Sequence, residues 1–328
     1  MCGTADIPVR CLQCGGRLTP RPDRICADAW ECSSCAARYP VTRGTLRMVS
    51  WDARASRDIE VKQRTADSFA YEWEQFGRLR EEWARNFADY MRPHTPASLA
   101  GKTVLDVGTG SGRHAFHAAR VGAHVAAVDL GASIDVARRN LPPSVLTVQA
   151  DAENLPFEPG SFDLVMSIGV LHHMPHPERA LRSIAGYAKP GGHVHIYLYW
   201  VPEQRWHQWV LRLVTAMRRL TVRLSHRVLH ALCYPLAVAL QLAFVTPYRA
   251  LRTRPGASRL AGALPLKTYA DYPFSVLVND QFDRFSAPLE QRFTADEVRA
   301  LMEDAGLENV VVLANNGWVA DGRRPLMQ

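Results

Sequence analysis

The chain has 328 residues, of which 47% are hydrophobic and 22% are charged. This composition excludes collagen, a coiled coil and a mostly disordered chain, and it suffices for one large domain with a small module or for two domains. The formal charge of +7 is concentrated in residues 201–260, which hold ten arginines and one acid, Glu203. A basic segment is therefore joined to a body of about neutral charge.

The chain shows no signal peptide, and we expect a cytoplasmic, reduced protein. The longest apolar run, 228–245, is interrupted by His230, Pro235 and Gln241. It is just short of the roughly 20 residues that a membrane-spanning helix needs. We therefore do not expect it to span a membrane, and we keep open a peripheral contact with the inner face of the membrane.

Four of the seven cysteines form two Cys-x-x-Cys pairs separated by 17 residues. They are Cys11, Cys14, Cys32 and Cys35. Each pair directs two thiolates at one ion, and two pairs complete a closed tetrahedral shell, so the spacing predicts a structural zinc site. A redox pair and a chance spacing are the alternatives.

The segment that ends in Arg38-Tyr39-Pro40-Val41 resembles the zinc-ribbon modules that act as the small activator subunit of some tRNA and protein methyltransferases. Similar modules are fused in front of other bacterial methyltransferases. The resemblance covers about the first 50 residues, so we assign 1–50 to a zinc-ribbon module.

Residues 51–100 read as a helical linker that ends in a proline-rich break, 93–101. Aromatic residues dot the predicted helix 59–92, among them Phe69, Tyr71 and Trp73. They form either a core stripe or a lid over a cofactor, in which Tyr71 would reach a positively charged group.

From residue 101 onward, β and α segments alternate, which predicts an α/β domain over 101–328. A strand, 102–108, runs into the glycine-rich loop 108–112 and then a helix, and a second strand, 124–128, is followed by Asp129. Glycines at a helix N-terminus let a ligand touch the backbone, and an acid after the second strand binds ribose hydroxyls. The pattern predicts a nucleoside-containing cofactor. NAD is disfavoured, because Arg113 stands where the dinucleotide fingerprint needs its third glycine.

Further motifs follow in order: Asp151-Ala152-Glu153, Leu155-Pro156-Phe157, a strand at 162–167, Gly169 to Met174, and Lys189-Pro190-Gly191-Gly192. With the glycine loop they resemble the class I S-adenosylmethionine-dependent methyltransferases, close to the small-molecule and quinone-type branch. The resemblance spans 102–199. It implies a doubly wound, Rossmann-like sheet of seven strands and S-adenosylmethionine as cofactor.

The resemblance also implies a cofactor-binding set at the ends of the strands. Its members are Asp106, Gly108, Thr109, Gly110, Gly112, Asp129, Leu130, Asp151, Ala152, Ser167 and Ile168. The glycines would line the methionine part, with Asp106 near its amino group. Asp129 would bind the ribose hydroxyls, Asp151 and Ala152 would face the adenine, and Ser167 with Ile168 would border the sulfonium.

His172 and His173 are the candidate catalytic residues. Histidine titrates nearest neutral pH, so either ring is a candidate base for the acceptor's hydroxyl. Either is equally a buried residue that supports the loop after the fourth strand. A base is unnecessary where the acceptor is already nucleophilic, since methyl transfer depends on positioning.

Residues 201–292 form an insertion after the fifth strand, 193–200. A capping box at 294–297 and a terminal hairpin at 310–320 then complete the domain. Within the cap helices 203–254, apolar residues of the first part, 205–228, recur every three or four positions and arginines fall largely on another face, which predicts a basic amphipathic helix through 205–228. Such a cap binds an anionic membrane or a lipid-linked substrate, binds nucleic acid, or only covers the pocket.

Together these features predict a methyltransferase acting on an oxygen, nitrogen or carbon of a small or lipid-linked metabolite. One alternative is an RNA methyltransferase that binds RNA through the ribbon and the arginine-rich helix. The segment 1–60 holds nine arginines and seven acids. Its excess of positive charge is therefore small for a segment that binds RNA. The other alternative is a non-catalytic interaction scaffold. The intact acidic residues and glycines of the predicted cofactor-binding set argue against it.

Overall fold

The structure is a computed structural model that describes residues 7–23, 26–49, 56–254 and 256–326. It comprises two compact units, one formed by 1–202 with 289–328 and the other by 203–288. The first unit contains the sheet and the second contains only helices in its described part.

The first unit is built on one sheet of eleven strands. In chain order the strands are β1 Leu18–Asp23, β2 Cys26–Cys32, β3 Arg38–Thr42, β4 Thr45–Arg47, β5 Thr103–Val107, β6 His124–Asp129, β7 Leu146–Gln149, β8 Phe162–Ile168, β9 Ala188–Leu198, β10 Glu308–Ala314 and β11 Trp318–Arg323. Their order across the sheet is β1-β2-β3-β4-β7-β6-β5-β8-β9-β11-β10.

Helices cover both faces of this sheet. They are α1 Arg57–Phe76, α2 Trp83–Tyr90, α3 Arg113–Arg120, α4 Ser133–Asn140, α5 Pro177–Ala185 and α11 Ala295–Asp304. The strands from β7 to β9 are parallel, and β11 runs antiparallel to β9. Parallel strands need helices on both faces, so their residues are buried on both sides, as the adjacent Val104 and Leu105 are. The predicted doubly wound α/β fold is therefore confirmed.

The first four strands continue this sheet beyond β7. Strand β4 pairs with β7 in parallel, with Leu46 opposite Val148. The Thr45 and Thr147 hydroxyls lie 3.2 Å apart, and the Arg47 guanidinium donates to Gln149 at 3.1 Å. The N-terminal segment and the α/β domain thus share one sheet and one hydrophobic core.

The helical unit contains α6 Arg205–Thr221, α7 His226–Leu240, α8 Thr246–Leu251, α9 Ser258–Ala263 and α10 Phe274–Ser286. A π-helical turn, Gln241–Val245, joins α7 to α8. Among the described residues, one continuous helix, His226–Leu251, has the length and apolar composition to cross a membrane, and 22% of its most apolar window is buried inside the protein.

Three local predictions differ from the structure. The predicted helix 59–92 is two helices, because α1 ends at Gly77 and α2 begins only at Trp83. The predicted helix through 205–228 also breaks, because Ser225 caps a new helix by accepting a hydrogen bond from the Val228 amide. Strand β9 begins at Ala188 rather than 193, and its pairing with β8 shifts register between Phe162 and Leu164.

The buried Asp321 on β11 lies among three histidines, of which His195 is buried and His94 and His193 are partly exposed. Its carboxylate accepts from His94 Nε2 at 2.7 Å and from His193 Nδ1 at 2.9 Å, and it lies 3.3 Å from His195 Nδ1. His195 Nε2 donates to the Tyr90 carbonyl at 2.7 Å, so its contact with Asp321 is favourable when the ring carries both protons. Burial raises the pKa of Asp321, but hydrogen bonds from the three histidines outweigh it and hold this pKa well below the ordinary value.

We expect Asp321→Ala to lower the free energy of unfolding at pH 7 by about 3 kcal/mol, because the partly buried His94 and His193 and the buried His195 lose a buried carboxylate partner. A carboxylate with a lowered pKa stabilises the fold above its unfolded pKa and loses this effect as the pH falls. The difference from wild type should therefore shrink below about pH 4 in urea titrations. Glu308→Ala, an exposed acid on β10, is the control, and an equal effect of the two changes would contradict this role.

Candidate active site

Strands β5, β6, β7 and β8 are parallel, so their carboxyl ends meet at one edge of the sheet. The glycine loop after β5 is tied to β6, because the Gly108 and Thr109 amides both donate to the Val128 carbonyl, at 2.8 and 2.9 Å. Gly108, Gly110 and Gly112 all have positive φ. The loop therefore needs glycine to follow this path.

The carboxylate of Asp129, at the end of β6, holds the loops of two strands together. Its Oδ2 accepts from the Gly110 amide at 2.9 Å, and its Oδ1 accepts from the Gly131 amide at 3.0 Å and the Ser133 hydroxyl at 2.6 Å. Burial raises the pKa of Asp129, and these hydrogen bonds oppose the rise. The side chain predicted to bind ribose therefore also fixes the shape of the glycine loop.

Asp106, near the end of β5, is 2% exposed and accepts a hydrogen bond from the Thr109 hydroxyl at 2.7 Å. Burial raises the pKa of this carboxyl to about 7, although the Thr109 hydroxyl counteracts it. A positively charged group beside Asp106 would stabilise its ionised form. This carboxyl thus suits a ligand that carries an ammonium group.

Helix α1 lies over these strand ends. Lys62 donates to Asp151 at 2.8 Å and to Glu153 at 2.9 Å, after β7. The Phe69 and His173 ring centroids lie 4.9 Å apart, after β8. Trp73 lies over the glycine loop, since a Cβ atom on Gly110 would lie 2.7 Å from its Nε1. Helix α1 therefore has the position of a lid, with Trp73 above the glycine loop.

Several buried polar atoms under α1 have no hydrogen-bond partner among the described residues. They include the hydroxyls of Thr65 and Ser68 and one carboxylate oxygen of Glu153. A buried polar group without a partner is unfavourable, so such atoms mark a place for a polar ligand. Together with Asp106 and Asp129, they fit the ammonium, hydroxyl and amine groups of S-adenosylmethionine.

The two candidate histidines lie side by side after β8. His172 is fully buried and stacks on Tyr199, with ring centroids 3.9 Å apart. Burial holds the pKa of His172 well below its ordinary value, with the neighbouring His173 and Arg292 adding to the effect. His173 Nδ1 lies 2.7 Å from the Leu289 carbonyl, so the neutral ring carries its proton there and Nε2 is the acceptor.

The remaining predicted cofactor residues lie at the same edge. The Ser167 hydroxyl donates to the Val107 carbonyl at 3.1 Å, and Ile168 is buried beside it. The Leu130 carbonyl accepts from Gln149 at 3.0 Å, and the Ala152 carbonyl accepts from Ser183 at 3.0 Å. The structure thus brings the whole predicted set to one edge of the sheet, where Lys62 and Trp73 of α1 also lie.

The four cysteines form a separate cluster in the N-terminal segment. The sulfurs of Cys11 and Cys35 lie 3.7 Å apart and those of Cys14 and Cys32 lie 3.4 Å apart. A tetrahedral zinc ion with bonds of about 2.3 Å has sulfur–sulfur edges of about 3.8 Å. The backbone amides of Gln13, Gly16 and Ser34 point at three of the sulfurs, each at 3.4 Å. This is the donor set and spacing of a four-thiolate zinc site.

Comparisons with known proteins show that the chain is similar to methyltransferases. Residues 105–196 match the family described as "Methyltransferase domain". A ubiquinone biosynthesis O-methyltransferase of Nitrosococcus oceani is 36% identical over 129 residues, which are 37% of this chain and 54% of that protein. A phthiotriol/phenolphthiotriol dimycocerosates methyltransferase of Mycobacterium leprae is 38% identical over 109 residues, 32% of this chain and 40% of that protein. The chain thus spans about half the length of these curated relatives.

Among solved structures, a complex between the Haloferax volcanii Trm112 methyltransferase activator and a methyltransferase is similar to this chain with a TM-score of 0.46 and 16% identity. The match covers 80% of this chain and 99% of that one.

The variant Gly110→Ala tests whether Trp73 of α1 lies over the glycine loop. The new methyl group would meet Trp73, so we expect α1 to be displaced and trypsin to cleave faster after Lys62 and Arg64. Gly169→Ala is the matched control, because Gly169 also has positive φ but nothing lies within 4 Å of the added atom. Both variants should lose about 1 to 2 kcal/mol from backbone strain alone. Equal cleavage of both would contradict the position of Trp73.

Proposed function

We propose that this chain, whose central domain belongs to the class I S-adenosylmethionine-dependent methyltransferases, transfers the cofactor's methyl group to a small or lipid-linked metabolite. The observation that carries the proposal is the cradle of Asp106, the glycine loop and Asp129 beneath α1. Oxygen is the acceptor atom that the relatives support, since the Nitrosococcus oceani protein is named an O-methyltransferase. Nitrogen and carbon remain the other candidates.

The bound cofactor would supply a methyl group on a positively charged sulfur, which the acceptor's lone pair attacks as the carbon–sulfur bond breaks and its electrons stay on sulfur. Asp106 would hold the ammonium group and Asp129 the ribose hydroxyls. Asp151, positioned by Lys62, would face the adenine. Positioning of this kind supplies a large share of the rate acceleration in a displacement.

The histidines would have different roles. His173 would accept the acceptor's proton at Nε2, because its Nδ1 proton is directed at the Leu289 carbonyl. His172 has 0% exposure and stacks on Tyr199, so it would position its neighbour. Phe69 and Trp73 of α1 would exclude water from the reacting atoms.

Calorimetric titration tests the cofactor. We expect S-adenosylmethionine to bind and NAD not to bind. Asp129→Ala should weaken binding at least tenfold, because the cradle loses both a ribose partner and the acceptor for the Gly110 amide. Asp89→Ala, an exposed acid on α2, is the control. Binding of NAD alone would overturn the cofactor assignment, and binding of neither would favour the scaffold alternative.

We further propose that Cys11, Cys14, Cys32 and Cys35 hold a structural zinc ion. A closed shell of four thiolates leaves no open position for catalysis. Thiolates remain available in a reducing compartment, which supports the predicted cytoplasmic location.

Metal analysis tests the zinc site. We expect about one zinc per chain, retained by wild type and lost from the double variant Cys11→Ser, Cys32→Ser. Cys233→Ser, a buried cysteine of the helical unit, should keep the metal. Zinc retained by the double variant would contradict the assignment.

A further inference from the structure

Helix α6 presents three different faces along its length. At 3.6 residues per turn, Leu211, Val214, Arg218 and Thr221 fall on one stripe. This stripe is packed, because Arg218 donates to the Arg284 carbonyl at 2.8 Å and Thr221 to the Phe285 carbonyl at 2.8 Å. The helix is thereby fixed to the end of α10, and its other two faces point away from the helical unit.

The second face of α6 is apolar and open to solvent. Trp209 is 67% exposed, Leu213 63% and Leu220 68%. The full stripe also includes Trp206, Val210 and Met217, and the exposed Leu224 follows in the turn after α6. A contiguous exposed apolar face of this kind marks a binding surface, whereas single exposed apolar residues need no explanation.

The third face of α6 is basic. Arg205, Arg212 and Arg219 follow one another about two turns apart, beside the apolar stripe, and Arg223 follows in the turn after α6. All four are exposed, and no ion pair involves them in the part of the chain that the structure describes. The guanidinium of Arg212 lies 5.1 Å from the Trp209 ring, which joins the basic and apolar faces.

Beyond Arg227, helix α7 and the π-helical turn after it extend the apolar surface without adding charge. Its inner face, Leu229, Cys233 and Ala237, is buried in the helical unit. Its outer face carries Leu232, 53% exposed, and the π-helical turn that follows carries Leu242, 65% exposed. Residues 228–245 contain no acid, lysine or arginine, so the helical segment is uncharged over about five turns.

We propose that α6 and α7 bind the surface of an anionic lipid bilayer, with the apolar stripe in the acyl boundary and the arginines on the headgroup phosphates. The inference rests on the proposed function, because the surface would bring the enzyme to a lipid-linked acceptor. Amphipathic helices with arginine beside tryptophan and leucine bind membranes in this way. Two other occupants fit this surface less well. A second copy of the chain would place its arginine row against the same row of the first copy, and nucleic acid would leave the apolar stripe exposed to solvent.

The helices lie on the bilayer rather than cross it. The inner face of α7 packs within the helical unit, where His230 and Phe282 ring centroids lie 5.9 Å apart. If α7 crossed the bilayer, its packed residues would lose their contacts with α10. Surface binding uses only side chains that are already exposed.

Vesicle flotation of the full chain tests the proposal. We expect binding to phosphatidylglycerol vesicles, and at least tenfold weaker binding to phosphatidylcholine vesicles. Binding should weaken as salt rises from about 50 to about 500 mM, since screening affects exposed charges. Arg212→Gln, Arg219→Gln together should reduce binding at least tenfold, and so should Leu213→Ser, Leu220→Ser.

Matched controls change exposed residues elsewhere. Arg85→Gln with Arg120→Gln removes two exposed charges, and Val311→Ser with Leu326→Ser removes two exposed apolar groups. These pairs should bind vesicles as wild type does. All variants should retain S-adenosylmethionine binding, which separates failure of the membrane contact from failure of the proposed function.

Three results would overturn the proposal. Equal binding to phosphatidylglycerol and phosphatidylcholine vesicles would show that the arginines do not bind anionic headgroups. Absence of vesicle binding with concentration-dependent dimerisation that Leu213→Ser, Leu220→Ser abolishes would assign the face to a second copy. Retention on RNA at low salt without vesicle binding would assign it to nucleic acid.

Discussion

The hydrogen bonds of Asp129 are the interaction on which the cofactor cradle depends. One carboxylate joins the turn after β5, through the Gly110 amide, to the turn after β6, through Gly131 and Ser133. Helix α1 then rests on both turns, because Trp73 lies against Gly110 and the Ala66 backbone against Gly131. A single half-buried acid thus joins the glycine loop to the turn after β6, on which the covering helix α1 rests.

The α/β core was predictable because the features that define it depend on residues that are close together in the sequence. Strands buried on both faces, such as Thr103–Val107, read as short apolar runs, and glycines with positive φ mark the turn that follows. The whole predicted cofactor set lies at one edge, since the carboxyl ends of parallel strands converge there. The capping box at Thr294 and Glu297 is likewise a contact between near neighbours in the chain.

Two of the missed features depend on contacts between distant residues, whereas the two missed helix breaks are local. Nothing near Lys62 indicates that it pairs with Asp151, 89 positions away, or that Trp73 covers Gly110. The break after α1 is marked locally by Gly77, which directly follows the last helical residue, Phe76. The split of the cap into α6 and α7 depends on one serine side chain, Ser225, which accepts from the Val228 amide.

The pairing of β4 with β7 has a consequence for the chain before it has bound metal. Strand β7 would otherwise be an open edge, and an open edge of unpaired amides and carbonyls invites pairing between molecules. Thr45 and Thr147 are 102 positions apart, so the edge closes only when a segment made early meets one made much later. If the four cysteines bind zinc as proposed, the supply of metal during synthesis would govern aggregation as well as folding.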